Sequence, residues 1–350
     1  MSSWESNIRR VEPYVPGEQP KEKNIIKLNT NENPYPPSPA VKKILEEYDT
    51  DKMRLYPDPD SSVLVEALAQ RYGVGPEQVF VGVGSDDVLS MAFLTFFNSD
   101  KPVIFPDITY SFYDVWAEVY RIPYKRIPLD EQFFINADDY ICDNGGVIFP
   151  NPNAPTGVQE SLEMIEKVIK GNPASVVIID EAYIDFGGES CLPLIEKYEN
   201  LLVVQTFSKS RSMAGMRIGF AMGNKKLIKY MNDVKFSVNS YTMNPLTLLC
   251  GVAAVKDEEY FKSTTESIIK TREEAKKRLS GLGFEFTDST SNFIFASHNS
   301  KPAAEIFEEL KKRKIFVRYW NKPRINNYLR ITVGTPEEME SLAKALEEIL

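Results

Sequence analysis

Short apolar runs alternate with helical patterns through the middle of the chain, and this alternation restricts the fold more than any other sequence feature. Helical patterns such as residues 86–97 and 161–170 separate the runs. Continuous apolar strands between helices predict an α/β domain whose mainly parallel sheet is covered on both faces. The apolar runs lie at 79–83, 102–105, 146–150, 176–180, 201–207 and 218–222.

The two ends of the chain follow other patterns. The first 35 residues contain many Pro and Asn residues, which predicts an extended, irregular arm, because proline fixes φ and removes a backbone donor. Trp4 and Tyr14 give this arm apolar surface to pack against a small domain or a partner subunit. We expect a large domain over 36–250 and a smaller α+β domain over 251–350, where a long helix at about 258–279 precedes shorter strands and helices.

Composition excludes several classes of function. The chain has 41 Lys and Arg against 50 Asp and Glu, a net charge of −9, and no basic cluster that would favour nucleic acid. His298 is the only histidine, so we expect neither a histidine-based metal site nor Ser-His-Asp catalysis. No stretch reaches the ~18 apolar residues of a membrane span, and no signal peptide is evident. Three widely spaced cysteines predict reduced thiols and a cytoplasmic location.

Two charged residues follow apolar runs at positions where α/β sheets bind ligands, beyond the carboxyl ends of strands. Asp180 ends one run, and a buried acid there needs a cationic partner such as a protonated pyridine nitrogen. A helix N-cap is the alternative. Lys209 follows the next run and would lie at the same edge, where its amine could attack an aldehyde. Considered alone, a lysine that follows a strand is usually a solvated loop residue.

Two further segments suit a phosphate group. Arg217 ends the stretch S-K-S-R-S-M-A-G-M-R, which offers hydroxyl groups and a guanidinium to a dianion. The segment V-G-V-G-S-D-D leads from a strand into a helix that begins near Ser85 and Asp86. Free backbone N–H groups at such a helix start bind anions.

Taken in order, N-P-x-x-P-T-G, D-E-A-Y and S-K-S-x-x-x-x-G-x-R-x-G resemble the fold-type-I pyridoxal-phosphate aminotransferases over essentially the whole chain. The resemblance implies pyridoxal 5′-phosphate as cofactor and a seven-stranded sheet in the large domain. It implies that Lys209 forms a Schiff base and moves a proton, that Asp180 keeps the ring nitrogen protonated, and that Tyr183 contacts the phenolic oxygen. The cofactor-binding set implied is Tyr56, Ser85, Asp86, Tyr110, Asn153, Asp180, Tyr183, Thr206, Ser208, Lys209 and Arg217, with Tyr110 stacking on the ring.

One motif departs from the family. The common form is N-N-P-T-G, whose second Asn contacts the phenolic oxygen, whereas this chain has Ala154 between Asn153 and Pro155. Either Asn153 replaces that contact through a shifted backbone, or Tyr183 makes it alone. We favour Asn153.

Three segments resemble the histidinol-phosphate aminotransferases within this family: L-N-T-N-E-N-P, R-L-Y-P-D-P and Y-L-R-I-T-V-G. The resemblance implies that Arg330 binds a carboxylate end of the substrate, and that Arg318, with Tyr14, reaches its phosphate. Asn31 is expected to contact the substrate, and Tyr56 to cross the interface of a homodimer. The implied reaction is ping-pong transamination of histidinol phosphate with 2-oxoglutarate, which yields imidazole-acetol phosphate and glutamate in histidine biosynthesis.

Three alternatives stay open. A threonine-phosphate decarboxylase and an aromatic amino-acid aminotransferase would keep the same lysine chemistry, so the motifs do not separate them. A catalytically silent cofactor-binding module, such as the effector domain of a regulator, belongs to a different class. We expect turnover with an amino donor to distinguish that module from an enzyme.

Overall fold

A computed structural model describes residues 4–350. Its strands are β1 (Ile26–Lys27), β2 (Val79–Gly82), β3 (Val103–Pro106), β4 (Tyr124–Ile127), β5 (Gly146–Pro150), β6 (Val177–Asp180), β7 (Leu201–Thr206), β8 (Gly219–Gly223), β9 (Phe284–Phe286), β10 (Phe293–His298), β11 (Ile315–Phe316), β12 (Arg318–Tyr319) and β13 (Leu329–Thr332).

The α-helices lie between these strands and after the last of them. They are α1 (Pro39–Glu47), α2 (Ser62–Tyr72), α3 (Ser85–Phe96), α4 (Phe112–Tyr120), α5 (Leu162–Gly171), α6 (Lys225–Val238), α7 (Pro245–Lys256), α8 (Glu258–Gly281), α9 (Ala303–Lys312) and α10 (Pro336–Ile349). None of the helices in this described part of the chain is long and apolar enough to cross a membrane.

The large sheet has seven strands in the order β2-β8-β7-β6-β5-β3-β4. Neighbouring strands from β4 to β7 are parallel, whereas β8 runs antiparallel to both β7 and β2. The predicted mainly parallel, seven-stranded sheet is therefore confirmed. The apolar runs did not include β4, because it is an edge strand whose Lys125 and Arg126 are exposed.

Both faces of this sheet are buried. Successive side chains of a strand point to opposite faces, so Val147 and Phe149 of β5 pack in one core while Ile148 packs in another. Helices α2, α5 and α7 cover the first face, and α3, α4 and α6 cover the second. This two-sided burial explains why the strands are continuous apolar runs rather than alternating ones.

A second, antiparallel sheet, in the order β12-β13-β10-β9, packs with α8, α9 and α10 around its own core. The arm joins this unit, since β1 pairs in parallel with β11 and Leu28 lies in the same core. Helix α7 crosses the predicted boundary at residue 250, and its Val255 packs in the core of the large domain. The bounds of the domains stay a prediction.

Candidate active site

The carboxyl ends of the parallel strands meet at one edge of the large sheet, as the positions of Asp180 and Thr206 require. Because β8 is antiparallel, its amino end lies at this same edge, where Gly219 pairs with both Thr206 and Gly82. A cavity of about 760 Å³ opens here. The predicted site residues that line it are Tyr14, Asn31, Asp86, Tyr110, Tyr183, Lys209, Arg217, Arg318 and Arg330.

Lys209 follows β7 by three residues and points toward the arm. Its Nζ donates a hydrogen bond to the carbonyl of Thr30 at 3.3 Å and lies 5.6 Å from the ring centroid of Tyr183. Asn33 Nδ2 donates to the backbone carbonyls of Lys209, at 3.0 Å, and Ser210, at 3.2 Å. Sequence reasoning did not assign Thr30 or Asn33 to the site, although both belong to the motif L-N-T-N-E-N-P.

Asp180 is only 4% exposed and ends β6. Its carboxylate accepts hydrogen bonds from the Tyr113 hydroxyl, at 3.0 Å, and the Ala182 amide, at 3.2 Å, and it forms no salt bridge within residues 4–350. Burial raises the pKa of Asp180 to about 7. A buried acid without a cation fits a protonated ring nitrogen, which would compensate its charge. No sequence pattern pointed to Tyr113 beyond its closeness to Tyr110.

Tyr183 lies in the wall of the cavity, where its ring packs edge-on against Phe293 with centroids 5.1 Å apart. Its hydroxyl accepts a hydrogen bond from Asn31 Nδ2 at 2.9 Å. Asn31 is fixed in turn by Thr332, whose hydroxyl donates to Asn31 Oδ1 at 3.0 Å. The contact predicted between Asn31 and the substrate stays a prediction, and the contact that the structure shows is the hydrogen bond from Asn31 to Tyr183.

Arg217 and the start of α3 form a cradle for an anion. The Arg217 Nη2 atom lies 3.2 Å from the Asp86 carboxylate, which also accepts a hydrogen bond from the Tyr110 hydroxyl at 2.7 Å. Burial, and then the charge of Asp86, raise the pKa of Tyr110 well above its usual value. The first N–H groups of α3, from Ser85 onward, lack acceptors within the helix. The arrangement suits a phosphate group.

Thr206 and Ser208 are buried behind this cradle and are not among the residues that line the cavity. Thr206 Oγ1 accepts a hydrogen bond from the Ser208 amide at 3.1 Å and donates to the Ile218 carbonyl at 3.2 Å. The turn that leads to Lys209 is thereby tied to the segment that follows Arg217. The cofactor contacts predicted for Thr206 and Ser208 stay predictions.

The side chain of Asn153 is hydrogen-bonded to neighbouring protein groups. Its Nδ2 donates to the Ile108 carbonyl and to the Thr156 hydroxyl, both at 3.0 Å, and its Oδ1 accepts from the Thr109 hydroxyl at 3.2 Å. Ala154, not Asn153, lines the cavity. This geometry supports the alternative that Tyr183 contacts the phenolic oxygen alone, rather than the contact that we favoured from the sequence.

Two arginines of the small domain face the cavity from β12 and β13. Arg330 Nη2 donates to the Asn29 carbonyl at 3.1 Å, and Arg318 makes long contacts of 3.5 Å to the carbonyls of Val15 and Pro16. Neither arginine forms a salt bridge with any residue between 4 and 350. The nearby arm also brings in Tyr14, whose ring stacks on Phe112 with centroids 4.1 Å apart. Burial raises the pKa of Tyr14.

The rim of the cavity contains a bridge that sequence reasoning missed. Arg324 Nη1 lies 3.1 Å from the Asp107 carboxylate, which follows β3, and Arg324 Nη2 donates to the Leu129 carbonyl at 2.9 Å. These bonds join the small domain to the large one. Tyr56 lies outside the cavity of its own chain, 84% exposed and 4.8 Å from the ring of Tyr241.

The amino-acid sequence of the chain is similar to those of known aminotransferases. Residues 23–346 match the family model for aminotransferase class I and II. The chain is 51% identical over 348 residues to a histidinol-phosphate aminotransferase of Lactococcus lactis subsp. cremoris. The aligned region covers 99% of this chain and 98% of that protein. It is 53% identical over 347 residues to histidinol-phosphate aminotransferase 1 of Hydrogenovibrio crunogenus, with 99% and 98% covered.

Among solved structures, the histidinol-phosphate aminotransferase of Sinorhizobium meliloti in complex with pyridoxal-5′-phosphate has the same fold. The TM-score is 0.84 at 23% identity, with 93% of this chain and 90% of that chain covered. The resemblance deduced from the ordered motifs is thereby confirmed at the level of the family. With about half of its residues identical over nearly its full length, the chain belongs to the class I and II aminotransferases and, within them, to the histidinol-phosphate aminotransferases.

Proposed function

We propose that the protein transfers the amino group of histidinol phosphate to 2-oxoglutarate, giving imidazole-acetol phosphate and glutamate in histidine biosynthesis. The observation that carries this proposal is that Arg318 and Arg330, without carboxylate partners among the described residues, face the same cavity as Lys209. Unpaired guanidinium groups bind phosphate and carboxylate strongly, often through two parallel hydrogen bonds. Both substrates have such anionic ends.

The cofactor is pyridoxal 5′-phosphate, and the residues present fit it. Lys209 would hold it covalently, Asp180 its ring nitrogen, Tyr183 its phenolic oxygen, and Arg217 with the start of α3 its phosphate. When bound, this cofactor supplies an electron sink for the charge that develops at the substrate's Cα.

Side chains of the protein transfer the proton and orient the substrates. Lys209 Nζ takes the proton from the Cα of the amino donor in the first half of the reaction, and it delivers a proton to the Cα of the newly formed amino acid in the second half. Arg318 and Arg330 orient the donor and then the acceptor, which use the same cavity in turn, as a ping-pong reaction requires. Tyr14 and neighbouring residues of the arm line the cavity, where we expect them to limit the entry of water.

The decisive experiment is a screen of amino donors with the purified protein. We expect glutamate to form from 2-oxoglutarate with histidinol phosphate, with much less from aromatic amino acids, and no CO₂ from threonine phosphate. Lys209→Ala should lower turnover by about 10²-fold or more, since acid-base catalysis contributes that much. Lys322→Ala, which removes another lysine from the cavity wall, should stay active. Release of CO₂ by the wild type, or undiminished turnover by Lys209→Ala, would overturn the proposal.

The working unit is a cytoplasmic homodimer with shared sites. The exposed side chain of Tyr56, which lies outside its own cavity, supports sites shared between two subunits. The unpaired state of all three cysteines supports the cytoplasmic location. Neither Lys209→Ala nor Tyr56→Ala should be fully active alone, whereas a mixture of the two should regain activity through hybrid dimers. If mixing restores nothing, Tyr56 serves its own subunit or none.

A further inference from the structure

Arg318 and Arg330 lie directly opposite each other in the antiparallel pair of β12 and β13. Side chains at such positions share one face of the sheet, with Cβ atoms ~5 Å apart. Like charges placed directly opposite destabilise a sheet. Burial, and also the charge of Arg318, lower the pKa of Arg330. The strand pairing therefore holds two cations together at a cost, without a carboxylate from the described residues to relieve it.

Trp320 lies close to both guanidinium groups. Its ring centroid is 5.2 Å from Arg318 Cζ and 5.1 Å from Arg330 Cζ, and its side chain lines the cavity. The indole face attracts cations more strongly than any other side-chain ring, and more so away from water. Arg330 also lies 5.3 Å from the ring of Phe293, so its guanidinium contacts aromatic rings of two residues.

We propose that Trp320 is a positioning residue, which holds the Arg318 and Arg330 guanidiniums in place for a single anionic group bound between them. The inference rests on the proposed function for the identity of the substrate, but its anion site is defined by geometry alone. Without the indole, the two cations would move apart and toward water. Phosphate affinity would fall, while the chemistry at Lys209 would be little affected.

The test uses the protein loaded with its cofactor and titrates it with inorganic phosphate in a calorimeter. Arg318→Ala identifies the part of the binding heat that belongs to this site. Trp320→Leu and Trp320→Met, which remove the π face but stay apolar, should each raise the Kd for phosphate about tenfold, equivalent to about 1.4 kcal/mol. Trp320→Phe should stay within about threefold of the wild type, because a phenyl ring keeps part of the attraction.

A kinetic measurement separates positioning from general damage. Trp320→Leu should raise the KM for histidinol phosphate by a similar factor and leave kcat within about twofold. Tyr319→Leu is the matched control, since it removes a neighbouring ring that packs on Phe307 instead. Unchanged phosphate binding in Trp320→Leu or Trp320→Met, or equal weakening in Tyr319→Leu, would refute the assignment. If the wild type bound phosphate in this way but did not turn over histidinol phosphate, only the proposed substrate would be wrong.

Discussion

Asn31 Nδ2 donates a hydrogen bond of 2.9 Å to the hydroxyl of Tyr183, which lies 152 positions further along the chain. The bond connects the N-terminal arm to the wall of the cavity. Because the donated hydrogen occupies a lone pair of the phenol oxygen, the proton of Tyr183 is directed elsewhere, and the cofactor's phenolic oxygen is the acceptor that we propose for it.

Asn31→Ala should weaken binding of pyridoxal phosphate about fivefold, since a hydrogen bond contributes about 1 kcal/mol. Tyr183→Phe should weaken it more, and adding Asn31→Ala to Tyr183→Phe should have little further effect, because both changes act on one interaction. Titration of the cofactor-free variants measures this cycle. Asn29→Ala is the control, since Asn29 bonds to the Glu18 carbonyl instead. A full additional loss in the double variant would show that Asn31 acts independently of Tyr183.

The raised pKa of Asp180 makes the stability of the cofactor-free protein depend on pH. Between the ordinary aspartate value of 3.8 and about 7, the unfolded chain has lost this proton while the folded protein keeps it. Stability contributed by the protonated acid is therefore present at low pH and is lost as pH rises toward 7. The loss amounts to roughly 4 kcal/mol at most, from about 3 pKa units of 1.4 kcal/mol each.

Asp180→Asn removes this titration and should flatten the curve. Urea unfolding of both cofactor-free proteins between pH 4 and pH 8 measures the difference, which should favour Asp180→Asn increasingly up to about pH 7 and then level off. Other buried acids, such as Glu160 with a pKa of about 7, are common to both proteins and cancel. Parallel curves for the two proteins would mean that burial does not raise the pKa of Asp180 in the folded protein.

Asn153→Ala should affect stability rather than the cofactor. Removing its buried hydrogen bonds to Ile108, Thr109 and Thr156 should cost about 1–3 kcal/mol of unfolding free energy. The pH dependence of the bound cofactor's absorbance should stay as in the wild type, whereas Tyr183→Phe should shift it. A shift in Asn153→Ala as large as that in Tyr183→Phe would restore Asn153 to the cofactor's contacts.

Gly84→Ala should displace Arg217. Gly84 has φ of +86°, and a Cβ there would lie 2.4 Å from Arg217 Nη2, so the substitution adds both backbone strain and a clash. Loss of one charge-assisted hydrogen bond to the cofactor's phosphate should weaken cofactor binding about tenfold or more. Gly215→Ala, where a Cβ meets no atom within 4 Å, is the matched control. Equal cofactor affinity in both variants would argue against Arg217 as an anchor.

Local sequence patterns were enough to predict most strands of the large sheet and the residues at its edge. Apolar runs identify strands because each strand buries both faces, and the ends of parallel strands meet at one edge wherever the sheet is formed. Asp180 and Lys209 could therefore be placed together from local patterns. The direction of a strand within a sheet does not follow from its own residues. Only the structure therefore showed that β8 is antiparallel and that its amino end brings Arg217 to this edge.

Contacts between distant segments became known only from the three-dimensional fold. The bonds of Asn31 to Tyr183 and of Thr30 to Lys209 depend on how the arm packs. The position of Trp320 close to both arginines depends on the register of β12 and β13. A shift of one residue in that register would turn one arginine to the opposite face. No pattern within either strand specifies that pairing, because it is fixed by the packing of side chains far apart in the chain.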